Sequence, residues 1–197
     1  MGMTIALIAA NVIYFIVLSF LGMPENGAFM YQMGASYAPA IIDDGEYYRL
    51  FTSMFMHFSF DHLTSNMLAL GLLGKYIEPL IGKVRFLTIY LLSGLVGNLA
   101  SLFVEYYSHD YAVGAGASGA TFGLTGALLS LVLMNRGRIG TITKQGIIFM
   151  IALNFYSGLT GAGVDNVAHA GGLISGVFFT GVLCWNLYGK RRTDSYY

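Results

Sequence analysis

Residues 114–126 read GAGASGATFGLTG, and this stretch decides how the rest of the chain is interpreted. Its serine, Ser118, stands between glycines at the start of an otherwise apolar run, which has no need of a hydroxyl group. The glycines at 114, 116 and 119 allow tight turns and a close approach by a neighbouring segment. Because a glycine-rich apolar helix is more often a packing face than a catalytic element, this stretch alone leaves both explanations open.

The composition indicates a membrane protein. Of the 197 residues, 56% are hydrophobic and 10% are charged, whereas a soluble domain carries about 25% charged residues. So few charges cannot cover a surface that faces water, and we predict an integral membrane protein. Cys184 is the only cysteine, so the sequence predicts neither an internal disulfide nor a metal site, and we expect no cofactor.

Six candidate membrane spans follow one another along the chain, since a span needs about 20 mostly apolar residues. They cover residues 4–21, 51–73, 86–103, 116–134, 146–159 and 167–187. We predict an all-α, polytopic bundle of six transmembrane helices that forms a single domain over residues 1–197. The long first outer loop, 22–50, mixes apolar residues with glycine, proline and acids, which favours a location in the membrane interface.

The charged residues predict the orientation of this bundle. Nine of the ten basic residues follow spans two, four and six: Lys75, Lys83, Arg85, Arg136, Arg138, Lys144, Lys190, Arg191 and Arg192. The outer connections hold seven acids, with Arg49 as their single basic residue. Because basic loops stay in the cytoplasm, we predict that both termini are cytoplasmic and that spans two, four and six run inward.

Four polar residues lie in the outer halves of these inward-running spans. Span two contains His62 and Asn66, which are four residues apart and therefore share one helical face. Spans four and six contain Ser118 and His169 near their outer ends. By helical rise all four lie at a similar depth, roughly 10 Å below the outer surface. Polar side chains in a span are costly and tend to face the bundle interior, so we expect them to meet there.

Small residues give spans four and six faces that can approach each other closely. They are Gly119, Gly123 and Gly126 in span four, and Ala168, Gly172 and Gly176 in span six. Close packing of two such faces gains van der Waals contact. It would also bring the Ser118 hydroxyl within hydrogen-bonding reach of the His169 ring, so packing and catalysis are compatible explanations.

Each polar residue also has an ordinary explanation. A serine in a span can hydrogen-bond the carbonyl group one turn back, and a single histidine can donate a hydrogen bond between helices. His62 and Asn66 could bind a small solute or relay protons in a transporter. Taken together, at one depth and beside small residues, the four favour a catalytic site.

The combined pattern resembles the rhomboid family of intramembrane serine proteases over nearly the whole chain. The matching pieces are Tyr48-Arg49 before span two, HFSFDHLTSN from His57, GASG from Gly116 and AHAGGLISG from Ala168. The resemblance implies the six-helix bacterial-type core and the hydrolysis of peptide bonds in or near transmembrane segments through an acyl-enzyme. It also implies transmembrane protein substrates, a bacterial cytoplasmic membrane and an active site open to the extracytoplasmic side.

The resemblance also implies a role for each matching position. Ser118 would be the nucleophile and His169 the general base and acid, without a third acidic residue. His62, Asn66 and the Ser118 backbone amide would form the oxyanion hole. The supporting positions are His57 at the outer end of the site, Gly116 as the first glycine of the motif, Arg49 in the first loop, Gly172 in span six and Phe122 in span four.

Two positions depart from the family pattern. The family often has tryptophan before the loop arginine, where this chain has Tyr48. It often has a tyrosine that stacks on the catalytic histidine, where this chain has Phe122. A phenyl ring keeps the stacking face and loses only the hydroxyl group, which puts a secondary hydrogen bond in doubt and leaves the Ser-His pair intact.

Two other functions remain as alternatives. A non-catalytic rhomboid-like chaperone or adaptor would have no use for an intact serine and histidine. A small transporter would place its polar residues near mid-membrane and would show an inverted repeat. Partners expected from the sequence are the lipid bilayer and transmembrane substrates, without nucleic acid or metal, and the oligomeric state is left open.

Overall fold

Helices dominate the structure, a computed structural model that describes residues 1–161 and 163–193. The helices are α1 (Gly2–Leu21), α2 (Gly27–Gln32), α3 (Ala38–Ile42), α4 (Arg49–Thr52), α5 (Phe60–Ile81), α6 (Lys83–Ser108), α7 (Ser118–Met134), α8 (Lys144–Thr160) and α9 (Asn166–Thr193). A 3-10 turn spans Ser53–Phe55. A two-residue hairpin, β1 (Arg138–Ile139) and β2 (Ile142–Thr143), pairs antiparallel between α7 and α8. The fold is the expected all-α polytopic bundle, with this hairpin as a small addition.

Three helices are long and apolar enough to cross a membrane by length and composition. They are α1, α6 and the segment Asn166–Leu187 of α9. Helix α7 is apolar but shorter, with 17 residues. Helix α5 has 22 residues and begins with the polar residues on which the site prediction rests.

The second predicted span, 51–73, differs from the helix in the structure. Helix α5 begins nine residues later, at Phe60, and continues to Ile81. The Ser59 hydroxyl accepts a hydrogen bond from the His62 amide at 3.1 Å, which caps the helix at this point. The apolar residues before it form α4 and the 3-10 turn, so they continue the first loop. We call residues 22–59 the outer segment.

Contacts between helix ends show which ends lie at the same face of the bundle. At the start of α1, the Thr4 amide and hydroxyl donate to the Glu78 carboxylate near the end of α5, at 2.8 and 2.6 Å. At the start of α6, the Arg85 side chain donates to the Leu183 carbonyl of α9 at 3.1 Å. The starts of α5 and α9 therefore lie at the opposite face, and the start of α7 lies there too because Gly119 contacts Gly172 near the start of α9. The basic cluster predicted at Lys190, Arg191 and Arg192 has side chains outside the described part of the structure.

The closest packing in the bundle joins α7 to α9 through glycine. A Cβ atom on Gly172 would overlap the Gly119 carbonyl oxygen, and one on Gly176 would overlap the Gly123 carbonyl oxygen. The two backbones are therefore in direct contact over two turns. We call this contact the glycine seam, and it fixes how α7 and α9 are aligned along their axes.

Helix α6 closes against the outer end of the glycine seam. A Cβ atom on Gly97 would lie 2.7 Å from the Ala168 carbonyl oxygen and 3.5 Å from the Gly119 Cα atom. Three helices thus meet within a few ångströms at the level of the residues that follow Ser118 and precede His169. Large buried side chains fill the core nearer the start of α6, where Phe86 and Tyr90 are fully buried.

The long first loop folds back onto the outer face of the bundle. Leu18 of α1, Met30 and Ala35 of the loop and Met56 form a small core of their own. The Asn26 side chain accepts a hydrogen bond from the Phe29 amide at 3.0 Å and caps α2. The loop is therefore a folded layer above the helices that carry the predicted site.

Replacing Gly176 by alanine should destabilise the protein, because its methyl group would overlap a backbone oxygen that no rotamer change can move. We expect a loss of about 2–3 kcal/mol of unfolding free energy, at the upper end of the usual range for overpacking. The measurement is the thermal midpoint of the detergent-solubilised protein.

Gly181→Ala is the matched control, since it lies in the same helix with open space around it. Alanine favours a helix over glycine by about 0.8–1 kcal/mol, so this variant should keep or slightly raise the midpoint. Equal midpoints for the two variants would contradict the glycine seam.

Candidate active site

Ser118 is the first residue of α7 and is half-buried. Two residues earlier, Gly116 has a φ angle of 145°, which glycine adopts readily and other residues do not. The chain turns there from an extended approach into the helix. Because the first amides of a helix have no acceptor within the helix, the backbone N–H of Ser118 remains available beside its own hydroxyl.

His169 lies in the first turn of α9, and Asp165 sets where that helix begins. The Asp165 carboxylate accepts a hydrogen bond from the Ala168 amide at 2.8 Å, and its carbonyl accepts one from the His169 amide at 3.1 Å. The side chain of His169 is 8% exposed. The imidazole is therefore held inside the bundle at a fixed height on α9.

Phe122 brings the His169 ring to the face of α7 that carries Ser118. The phenyl and imidazole rings are stacked, with centroids 4.0 Å apart and planes 10° from parallel. Phe122 and Ser118 are four residues apart, so they share one face of α7. Within the ranges 1–161 and 163–193, the Ser118 hydroxyl and the His169 ring are not hydrogen-bonded to each other, and the Nδ1 atom of His169 has no partner.

The His62 ring lies against the glycine that precedes the serine. A Cβ atom on Gly116 would lie 2.9 Å from the His62 Nε2 atom and 3.7 Å from the Ser118 Oγ atom. The His62 ring nitrogen and the Ser118 hydroxyl thus lie on either side of the space that a side chain at Gly116 would occupy. The His57 ring supports this arrangement, with its centroid 5.0 Å from that of His62, and its Nε2 atom accepts from the Ala117 amide at 3.4 Å.

Asn66 lies one turn below His62 on α5 and is buried. Its side-chain nitrogen donates to the His62 carbonyl at 2.9 Å. One of its N–H groups is therefore engaged by the helix to which it belongs. The amide still has a second N–H group, since asparagine carries two donors on one nitrogen.

Arg49 holds the first loop in place and is connected to Ser118 only through that loop. Its guanidinium donates to the Tyr31 and Ala35 carbonyls at 2.6 and 2.9 Å, and it lies 4.4 Å from the centre of the Tyr31 ring. The next residue, Ser36, exchanges two backbone hydrogen bonds with Gly114, at 2.8 and 2.9 Å. Arg49 thus holds the loop strand that pairs with the approach to Ser118.

Gly172, which the resemblance implies as a supporting residue, lies in the glycine seam. It packs against the carbonyl of Gly119, the residue that directly follows the serine. Any side chain at this position would push α7 away from α9 close to Ser118 and His169.

The structure adds two residues that the sequence reasoning missed. The Ser53 carbonyl accepts a hydrogen bond from the Gly116 amide at 2.9 Å. The Asn98 side chain, from α6, donates to the Ser53 hydroxyl at 3.0 Å and to the Leu50 carbonyl at 2.7 Å. The available signal for Asn98 was an amide side chain within an otherwise apolar span, since such groups require a partner.

A third missed residue lies on α8. The Phe155 ring meets Phe122 edge to face, with centroids 5.4 Å apart and planes at 67°. The ring that stacks on His169 is therefore also in contact with α8. No group of three His, Cys, Asp or Glu side chains in the described ranges is arranged to hold a metal ion.

Comparison with known proteins identifies relatives that match most of this chain. The Rhomboid domain model matches residues 44–186. Rhomboid protease GluP of Bacillus subtilis (strain 168) is 37% identical over 191 residues, which cover 95% of this chain and 36% of GluP. RHOMBOID-like protein 5 of Arabidopsis thaliana is 37% identical over 149 residues, covering 73% of this chain and 46% of that protein.

A third relative is matched over most of its own length. Rhomboid protease AarA of Providencia stuartii is 30% identical over 209 residues, which cover 91% of this chain and 71% of AarA. The chain thus spans more than two thirds of AarA but only 36% of GluP.

Gly116→Ala should destabilise the protein and displace the His62 ring. The φ angle of 145° is strained for alanine, and the added methyl group would lie 2.9 Å from the imidazole. We expect a loss of about 1–3 kcal/mol, the usual cost of a residue held in a sparsely populated backbone region. Thermal unfolding in detergent measures the loss.

Gly114→Ala, two residues earlier, is the control for this change. Its Cβ atom would lie 3.6 Å from the Ser36 side chain, an ordinary van der Waals contact. We expect its midpoint to stay near that of the unaltered protein. If Gly116→Ala behaved in the same way, the described approach of His62 would be wrong.

Proposed function

Because the chain belongs to the rhomboid family, we propose that this integral membrane protein is a serine-type endopeptidase. It hydrolyses peptide bonds in or near the transmembrane segments of other membrane proteins. The observation that carries the proposal is the stacking of the His169 ring on Phe122 at 4.0 Å, one helical turn from Ser118. That stacking supports the proposal, because it holds an imidazole ring beside the face of α7 that carries the Ser118 hydroxyl.

The proposed chemistry is acyl transfer through the Ser118 oxygen. His169 takes the hydroxyl proton as the oxygen attacks the substrate carbonyl, and it returns that proton to the leaving amine. Water then cleaves the acyl-enzyme by the same proton transfers in the second half of the cycle. The two side chains are not hydrogen-bonded to each other at rest, and catalytic hydrogen bonds in substrate-free enzymes often tighten only when substrate binds.

The oxyanion hole is proposed from the groups that surround Gly116 and the start of α7. The Ser118 amide has no acceptor within the helix, and the positive end of the helix dipole points the same way. The His62 ring lies 2.9 Å from the side-chain position that Gly116 leaves empty. Asn66 would add its second N–H group. Losing one such donor typically costs about 2.7–4 kcal/mol of transition-state stabilisation.

The contacts of Asp165 support a Ser-His dyad that has no acidic third member. That carboxylate is the nearest acid along the chain to His169, and it accepts from the Ala168 amide at 2.8 Å. Its role is therefore to cap α9. In a catalytic triad the carboxylate orients the imidazole. Here we propose that stacking on the Phe122 ring orients it instead.

Substrate access is proposed to involve α8. In this helix only Ile147 and Gly158 are buried among the described residues, whereas α7 has buried residues along its whole length. A helix with so little buried surface can move at a low free-energy cost. The glycine-containing loop 160–165 is a sequence-based candidate for the same movement, and position 162 of that loop lies outside the described residues.

The proposed setting follows from charge and from the position of the site. Residues 1–197 would form one membrane domain in the cytoplasmic membrane of a bacterium, with both termini in the cytoplasm. The starts of α5, α7 and α9 would then open the active site to the extracytoplasmic side. A peptide bond within a helix is shielded, so we expect substrate segments that unwind easily, with glycine, alanine or serine near their outer ends.

Ser118→Ala should abolish cleavage of a single-span model substrate, because no nucleophile then remains. We expect a rate at least about 10³-fold lower, as for loss of a nucleophile in other serine proteases. His169→Ala should have a comparable effect. Cleavage is measured by gel shift in proteoliposomes, and labelling by a serine-directed phosphonate reports on the nucleophile separately.

Two controls accompany this experiment. The thermal midpoint of each variant shows whether it remains folded, and Ser175→Ala tests a buried serine of α9 that donates to the carbonyl of Gly172 in its own helix. Phosphonate labelling that survives Ser118→Ala would overturn the assignment of the nucleophile. A folded, unlabelled unaltered protein would favour the adaptor or transporter alternatives.

Acidification should lower the cleavage rate, because a protonated His169 cannot accept the serine proton. The rate should therefore fall as the pH is lowered through the titration of the His169 imidazole. The rate should drop by roughly tenfold per pH unit once most of the imidazole is charged. A flat profile in protein that stays folded would argue against His169 as the base.

A further inference from the structure

One turn of α6 contacts both halves of the proposed site. At this turn Gly97 faces α9, where its Cβ position lies 2.7 Å from the Ala168 carbonyl oxygen. The next residue, Asn98, turns to the outer segment and donates to the Leu50 carbonyl at 2.7 Å and the Ser53 hydroxyl at 3.0 Å. Of these two consecutive residues of α6, Gly97 thus contacts the residue before His169. Asn98 contacts Ser53, whose carbonyl is hydrogen-bonded to the strand before Ser118.

Ser53 transmits this contact to the strand that leads into the nucleophile. Its side chain is buried, at 2% exposure, and its carbonyl accepts the Gly116 amide at 2.9 Å. Gly116 is the residue against which the His62 ring lies, at 2.9 Å from its Cβ position. A shift of Ser53 would therefore move both the serine and the proposed oxyanion donor.

We propose that Asn98 is a positioning residue for the reaction, acting through Ser53 and Gly116 and touching neither substrate nor the reacting atoms. The role rests on the proposed function. Its two hydrogen bonds tie α6 to the outer segment at Leu50 and Ser53, which fixes the height of the Gly116 amide. A buried amide with two well-made hydrogen bonds holds its partners in one arrangement, since leaving them unpaired is costly.

Asn98→Leu tests this role, because leucine keeps the volume and removes both donors. We expect kcat for a single-span substrate to fall about tenfold or more with KM within twofold, since the substrate-binding surface is unchanged. Hydrogen exchange of the peptide that contains residues 112–117 should become at least about fivefold faster as the Gly116 amide loses its fixed acceptor. Asn98→Gln, which restores a donor, should recover a large part of kcat.

Asn11→Leu is the matched control. Asn11 is a fully buried amide of α1 whose side chain donates to the Leu7 carbonyl of its own helix at 2.8 Å. This variant removes a buried amide group and its hydrogen bond away from the site. We expect a comparable fall in the thermal midpoint, with kcat per folded molecule and exchange at residues 112–117 unchanged.

The outcomes separate this proposal from the proposed function. Unchanged exchange at residues 112–117 in Asn98→Leu would overturn the positioning role, whether or not the protein is a protease. A fall in kcat equal to that of Asn11→Leu would also overturn it, since loss of stability would then explain the effect. If the unaltered protein cleaves no substrate while the exchange changes as expected, the proposed function fails and the structural link from Asn98 to Gly116 stands.

Discussion

Direct backbone contact between α7 and α9 is the constraint on which the rest of the structure depends. Side chains at Gly172 or Gly176 would overlap carbonyl oxygens of α7, so the two helices touch without any intervening atoms. In a membrane, where burial of apolar surface gives no advantage over lipid, such contact supplies the van der Waals attraction that holds helices together. This contact also sets the position of Ser118 relative to His169, because it fixes the backbones to which the two side chains are attached.

The folded outer segment imposes a second and separate constraint. The strand before Ser118 is paired to Ser36 on one side and hydrogen-bonded to the Ser53 carbonyl on the other. Arg49 anchors the loop behind that pairing, and its guanidinium is only 4% exposed. The loop that sequence reasoning placed in the interface is therefore part of the support of the site, since it fixes the backbone from which the serine emerges.

Much of this arrangement could be predicted from the sequence, because the strongest signals are local. Apolar runs located the long helices, and the small residues beside Ser118 and His169 indicated their close crossing. The start of α5 could not be found from hydropathy, because residues 51–56 are as apolar as a span and only the Ser59 cap separates them from the helix. The contacts of Ser53 and Asn98 join segments 45 residues apart, and no periodicity records such a pairing.

The two halves of the proposed site depend on different parts of the fold. The positions of Ser118 and of the His169 ring at the crossing of α7 and α9 depend on the glycine seam and on Phe122, both of which belong to the bundle. The placement of His62 follows from its contact with Gly116, and hence from the outer segment that holds the Gly116 amide. In the proposed mechanism, damage to the seam would separate the dyad, whereas damage to the outer segment would displace both the serine and the groups that stabilise the transition state.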